Sequence, residues 1–218
     1  MTLPVFKCIE DNMNADIVIL SAGASHRLGV AKQQVELFGQ PLLLRACKLA
    51  SRFALRTSAQ LPPLVVVGPY ADQDRHALAT CSDVEIIDNP HWQQGLPATI
   101  STAIQARANS AGLLLLLVDQ YRVQVRDLLR LHEKWQQQPT DPVAATYAGT
   151  IGPPVIWPSR YFSPLMAQSG AAKTLLQSVR HQRVGIPAAA TDLDVTQDLQ
   201  QLRNFEREGS SDCKVDGD

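Results

Sequence analysis

A chain of 218 residues with 45% hydrophobic and 19% charged side chains can bury a sizeable core in one domain or one large α/β unit without disulfide or metal staples. The formal net charge of −1 and the absence of a basic tract argue against nucleic acid as the main partner, and Cys8, Cys47, Cys81 and Cys213 form no C-x-x-C. No apolar run approaches the roughly 18 residues of a membrane span, and the acids in MTLPVFKCIEDNMNAD stand where a signal peptide needs an apolar core, so a reduced, cytoplasmic protein is expected.

After an N-terminal extension over 1–15, the run Ile17–Leu20 predicts a buried strand that stops at Ser21-Ala22-Gly23. A loop carrying Ser25, Arg27, Gly29 and Lys32 follows. Small residues let backbone N–H groups approach phosphate oxygens, and Arg and Lys add charge that N–H dipoles cannot match. Five residues separate Gly23 from Gly29, which excludes Walker A, and Gly23-Ala24-Ser25 breaks the dinucleotide fingerprint G-x-G-x-x-G. Leu42–Leu55 has helical spacing, with Lys48, Arg52 and Arg56 outside. Leu64–Gly68 is a second strand, Asp74–Thr80 a helix, Val84–Ile87 a third strand, and Thr99–Ala108 a helix. Leu113–Val118 is a fourth strand without a polar residue, as expected for one buried on both faces. Val125, Leu128, Leu129, His132 and Trp135 mark one helix face. The repeating β-α order predicts a mostly parallel, doubly wound sheet with helices on both faces. Beyond it, Val143–Tyr147 and Pro154–Trp157 are strand candidates around a turn-rich loop at 148–153. Ser159–Met166, Ala171–Arg180 and Gln197–Glu206 are predicted helices. The tail over 207–218 turns polar from Gly209 and is expected to be disordered.

Ligands of open α/β sheets bind beyond the carboxyl ends of the strands. Three segments fall there: the Ser21–Lys32 loop, Asp119-Gln120, and Asn89–Thr99. Asp119 ends an apolar strand, where a carboxylate can hold a hard cation or can cap the next helix. Gly95 allows close backbone approach. The Thr99 hydroxyl can donate to a ligand or belong to a helix start, and Trp92 reads as a packing residue. Asp192 and Asp194, spaced i, i+2, share one side of an extended chain. Asp198 reads as an early-helix acid facing the dipole. The histidines show no metal-ligand spacing.

The pattern A-G-x-S-x-R-x-G-x-x-K from Ala22 to Lys32 resembles the signature of the MobA-like nucleotidyltransferases. Within that family the resemblance is closest to the molybdenum cofactor cytidylyltransferases, and it covers roughly 16–206. It implies a Rossmann-like (GT-A-like) fold and transfer of CMP from CTP to the terminal phosphate of molybdopterin, with release of pyrophosphate. Ser21, Ala22, Gly23, Ser25, Arg27, Lys32, Gly95 and Thr99 would then bind nucleotide. Arg27 would hold the leaving phosphates, and Lys32 would sit near the α-phosphate. Asp119, with Asp192 or Asp194, would hold Mg²⁺, and Gly152 and Pro154 would lie near the acceptor. A molybdoenzyme receiving the cofactor is an implied partner. In the family, L-A-A-G goes with CTP and L-A-G-G with GTP, so Ala22 favours cytidine. The chain departs from the family at Tyr121, where D-x-P has proline, and around Ser169, where G-D-x-G-A-R has an aspartate. Guanylyl transfer, cytidylyl transfer to a sugar or polyol phosphate, and a non-catalytic binding role stay open.

Overall fold

The structure is a computed structural model that describes residues 14–25, 28–167, 172–191, 193 and 197–212, with 208–212 as backbone only. The elements run β1 (Asp16–Ser21), β2 (Glu36–Leu37), β3 (Gln40–Pro41), α1 (Leu42–Thr57), β4 (Leu64–Val67), α2 (Ala71–Ala77), β5 (Glu85–Asp88), α3 (Leu96–Ala106), β6 (Gly112–Leu117), α4 (Val125–Gln137), β7 (Val143–Tyr147), β8 (Thr150–Pro158), α5 (Phe162–Ala167), α6 (Ala172–Ser178), β9 (Gln182–Gly185) and α7 (Asp198–Asp212). Seven strands form one sheet in the order β5-β4-β1-β6-β8-β7-β9. Its ladders are parallel except for those of β8, which runs against β6 and β7.

Side chains of a strand alternate between faces, and here the alternation feeds two cores. Ile17, Ile19, Val65, Val67, Leu114 and Leu116 pack with Leu43, Cys47 and Phe53 of α1 and Leu128, Leu131 and Trp135 of α4. Val18, Leu20, Leu64, Val66, Leu113 and Leu115 pack with Ile100 and Ile104 of α3, Phe162 and Leu165 of α5, and Leu175 and Leu176 of α6. Each such Leu, Ile or Val contributes about 1.5–3 kcal/mol through burial. The predicted mostly parallel sheet with helices on both faces is therefore what the chain forms. A third, smaller cluster joins Leu28, Leu37 and Leu42 to Leu193 and Leu202, so α7 covers the segment that follows the first loop.

Three readings of the second half need correction. The expected loop at 148–153 is a two-residue hairpin turn, Ala148 (φ 45°) and Gly149 (φ 74°), after which β8 begins at Thr150. Paired left-handed residues match the twist of flanking strands. Pro153 and Pro154 sit where the β7–β8 register shifts, between ladder positions 152 and 155, so their missing N–H groups cost no ladder bond. The β9 strand was not foreseen, because QRVG carries only one buried apolar residue, Val184. The last helix runs to Asp212, into the segment expected to be disordered from Gly209. No helix among the described residues is long and apolar enough to cross a membrane.

Candidate active site

β1 and β6 are neighbours in the sheet and end on the same side, so the chain that leaves Ser21 and the chain that leaves Leu117 meet beyond their carboxyl ends. Between them opens a cavity of about 680 Å³ lined by Ala22, Gly23, Lys32, Gln33, Gly95 and Asp119, with Trp92, Leu96 and Thr99 on one wall. That volume suits a nucleotide-sized ligand.

The first loop is held from two sides. A Cβ on Gly68, at the end of β4, would lie 2.6 Å from the backbone oxygen of Ala22. Only glycine lets the two strand ends approach this closely. Tyr70 donates its hydroxyl to the Ala24 carbonyl at 3.2 Å. The Ser25 carbonyl accepts from Leu28 N and Gly29 N, and Ser25 Oγ accepts from Lys32 N at 3.1 Å. The loop is thereby folded back so that Lys32 points at β6. There Lys32 Nζ donates to Asp119 Oδ2 at 2.6 Å across 87 residues of sequence. The side chains are 17% and 7% exposed, so this charge-assisted bond lies largely out of water. Behind it, Gln34 Nε2 donates to Asp74 Oδ1 at 2.6 Å, and Asp74 is fully buried. Burial pushes the Asp74 carboxyl up to about 6 against the Gln34 hydrogen bond and the charge of Arg75, which lower it.

Asp119 does not cap α4. That role belongs to Gln124 and Asp127, whose backbone and side chains exchange hydrogen bonds in a capping box. Gln120 is buried and donates to the carbonyls of Pro153 and Ala189, which ties the turn after β6 to β8. Tyr121, where the family has proline, packs its ring 5.7 Å from that of Phe205. The aromatic pair pins α7 beside the turn, so the departure from D-x-P has a packing role of its own.

On the other wall, Gly95 has φ 81° and ψ −161°, a conformation open essentially to glycine alone, and precedes the first turn of α3. Asn89 is buried. Its Nδ2 donates to Thr99 Oγ1, and its Oδ1 accepts from His91 N and Thr102 Oγ1. Thr99 Oγ in turn donates to the Gly95 carbonyl at 3.3 Å. Thr99 is thereby fixed on the wall of the cavity by contacts to both Asn89 and Gly95. Trp92 is half-buried and lines the cavity instead of packing wholly inside.

Of the residues singled out in sequence, Ala22, Gly23, Lys32, Gly95, Thr99 and Asp119 come together at this cavity. Ser21 is buried behind it and Ser25 braces its loop. Gly152 and Pro154 are buried strand residues that line neither this cavity nor the one bounded by Arg45 and Arg122, because β8 runs from Thr150 between β6 and β7. Arg27, Asp192, Asp194 and Ser169 lie outside the described residues. Among the described residues no group of three or more acids, histidines or cysteines gathers as a metal site. A single strand-end carboxylate suits a cation such as Mg²⁺, which keeps several waters and takes the rest of its oxygens from substrate phosphates. Gly68, Tyr70, Gln33 and Asp74 were missed as site residues. The position of Gly68 after an apolar strand, parallel to that of Gly23, was the available signal.

The MobA-like NTP transferase domain model matches residues 17–184. The chain belongs to this family. It is a nucleotidyltransferase by family membership, and the solved structures it resembles share its fold. The Rv0371c protein of Mycobacterium tuberculosis H37Rv is 24% identical over 88% of this chain and 99% of its own, with a TM-score of 0.68. Molybdopterin-guanine dinucleotide biosynthesis protein A of Archaeoglobus fulgidus is 16% identical over 88% and 99%, with a TM-score of 0.63. CMP:2-keto-3-deoxy-manno-octonic acid synthetase, solved with CTP, is 11% identical over 89% and 99%, with a TM-score of 0.71. No curated protein matches the chain in sequence.

Proposed function

We propose that this chain transfers CMP from CTP to the terminal phosphate of molybdopterin or its molybdenum-loaded form, and releases pyrophosphate. The reading rests on one observation above all: the first-loop cation and the strand-end carboxylate, Lys32 and Asp119, face each other at 2.6 Å on the wall of a nucleotide-sized cavity that Ala22 also lines. An oxygen of the acceptor phosphate attacks the α-phosphorus of CTP. The bond from that phosphorus to the bridging oxygen breaks, and its electron pair leaves with pyrophosphate. Such a reaction asks the protein for positioning and charge neutralisation more than for covalent chemistry. Lys32 supplies positive charge at the α-phosphate and the entering oxygen, and Arg27 does so at the leaving phosphates. Asp119, together with Asp192 or Asp194, is the proposed holder of Mg²⁺. Such an ion, held by these carboxylates, would offset the charge of the phosphate oxygens. A complex of the Rv0371c protein with manganese supports a divalent ion in this fold.

Ala22 supports cytidine. It is buried where the loop leaves β1 and lines the cavity, so its methyl group would bear on the space for a base bound there. Replacing Ala22 with Gly recreates the guanosine-type loop of the family. The test is pyrophosphate release with molybdopterin, Mg²⁺ and either nucleotide, comparing kcat/KM for wild type and Ala22→Gly. Wild type should prefer CTP, and the variant should narrow the gap. A wild type that prefers GTP, turns over a polyol phosphate faster than molybdopterin, or releases no pyrophosphate at all overturns the reading.

A further inference from the structure

A second cavity, of about 550 Å³, opens on the other side of the turn that carries Asp119. Its floor is Leu117-Val118, which also lines the nucleotide-sized cavity. Its walls gather cations. Arg45, Lys48 and Arg52, spaced i, i+3 and i+7 along α1, share one helix face, and Arg122 and Arg126 come from the turn after β6 and the start of α4. Among the described residues that line it there is no Asp or Glu. In a chain of net charge −1, five cations meeting in one concavity is a concentration that the fold creates.

These cations have little else to do. Among the described residues none of the five lies within 4.0 Å of a carboxylate oxygen in an ion pair. Lys48 donates only to the amide oxygen of Gln40 at 2.9 Å. Arg122 lies over the ring of Phe205 at 4.6 Å, and Arg45 lies 5.5 Å from the ring centre of Phe38. The Nε atoms of both arginines are buried without a hydrogen-bond partner. Buried donors left unmade are costly, and like charges in a concave site focus a positive potential. Among the described residues, Glu206 is the acid whose charge acts on Arg45, and its Oε1 also accepts from the Phe38 backbone N–H.

We infer that this cavity is a second anion site, which takes a small ligand carrying a diphosphate group. Two linked phosphates offer several oxygens to several guanidinium groups at once, which a monoanion cannot do. The open cavity's volume is in the range of a nucleotide-sized ligand. Because the floor is the end of the strand that presents Asp119, a ligand here presses on the turn that shapes the first cavity. Free pyrophosphate and the diphosphate portion of a nucleoside triphosphate are the two sources of this chemistry.

The two cavities can be separated with reciprocal variants of the full chain. Pyrophosphate is titrated by calorimetry without divalent ions into wild type, Lys32→Ala and the double variant Arg52→Gln/Arg126→Gln, whose sites are exposed and outside the first cavity. Thermal unfolding checks that each variant folds. Lys32→Ala should keep a binding event whose affinity falls with salt. The double substitution, alone and added to Lys32→Ala, should weaken that event by at least about tenfold, since it removes two charged donors. Repeating the titration of Lys32→Ala with CTP identifies the source. Equal affinities point to the diphosphate alone, and tighter CTP binding adds the nucleoside. Loss of all binding in Lys32→Ala, unchanged binding in the double variant, or an RNA oligonucleotide that outcompetes pyrophosphate overturns the inference. None of these outcomes depends on whether the chain prefers CTP, so the proposed reaction can fail while this site stands, and the reverse.

Discussion

Asp74→Asn should make the protein more stable at neutral pH. Asp74 is fully buried, and one carboxyl oxygen accepts from Gln34 while the other has no hydrogen-bond partner. Burial, the dominant cause, lifts its pKa from 3.8 to about 6. The folded chain therefore holds this proton more tightly than the unfolded chain does. Between about pH 4 and 6 the native state is protonated there and the unfolded state is not, so stability falls as pH rises through that window. At about 1.4 kcal/mol for each pH unit, the loss at pH 8 amounts to as much as about 3 kcal/mol. Asparagine keeps an acceptor for Gln34 and carries no charge. Urea denaturation at intervals from pH 3.5 to 8 should show the two proteins nearly equal at the acid end and the variant ahead above pH 6. In a domain of this size the gain corresponds to about 2–4 °C of Tm for each kcal/mol. Parallel stability profiles across the whole range would refute the reasoning, because they would mean that Asp74 ionises as easily folded as unfolded.

Lys32→Ala should lower turnover roughly 10²–10³-fold, the usual loss on removing one placed charge-stabilising donor. It should also cost about 1–3 kcal/mol in urea denaturation, because the buried Asp119 oxygen loses its donor. Asp119→Asn should demand far more Mg²⁺ for the activity that remains, read as turnover against magnesium concentration; a dependence matching wild type removes Asp119 from the metal site. Gly68→Ala should raise KM for the nucleotide and destabilise by about 1–3 kcal/mol, since its Cβ would meet the Ala22 carbonyl at 2.6 Å and backbone cannot swing aside. Unchanged KM in a folded Gly68→Ala protein would show that the first loop tolerates displacement.

The legible parts of the fold were those where burial acts on both faces of a strand. Leu113–Val118 has no polar residue because α4 covers one side and α3 with α5 the other, and that continuity is visible in one dimension. Edge elements carry no such mark. β9 pairs with β7 alone and needs only Val184 to face inward, so its four residues look like loop. The sequence suggests a start of β8 only at Pro154 because Gly149, Gly152 and Pro153 make 148–153 read as a turn-rich loop, whereas Gly152, Pro153 and Pro154 all lie within the strand. They are tolerated where the ladder slips and no N–H is required. At the site, Lys32 and Asp119 were each conspicuous by position, yet nothing in the sequence says that they touch. The cationic cavity was hidden for the same reason. Lys48 and Arg52 read as the wetted face of a helix, and their meeting with Arg122 and Arg126 exists only once α1 and α4 pack side by side.

The Lys32–Asp119 bond also bears on how the proposed chemistry would begin. The two charges neutralise each other in a place with little water, where an unpaired charge is expensive. A metal-free triphosphate drawing on Lys32 would leave the Asp119 carboxylate uncompensated beside phosphate oxygens. A lone cation on Asp119 would likewise repel the ammonium. A nucleotide and its divalent ion arriving together would exchange one pair for two, phosphate with Lys32 and cation with Asp119, so that neither side chain would lose its counter-charge. On this reading the affinities for nucleotide and metal are thermodynamically linked through a single bond, each raising the other by the same factor. The coupling needs no moving domain. It follows from placing the loop cation and the strand-end acid within reach of each other, which the adjacency of β1 and β6 already imposes.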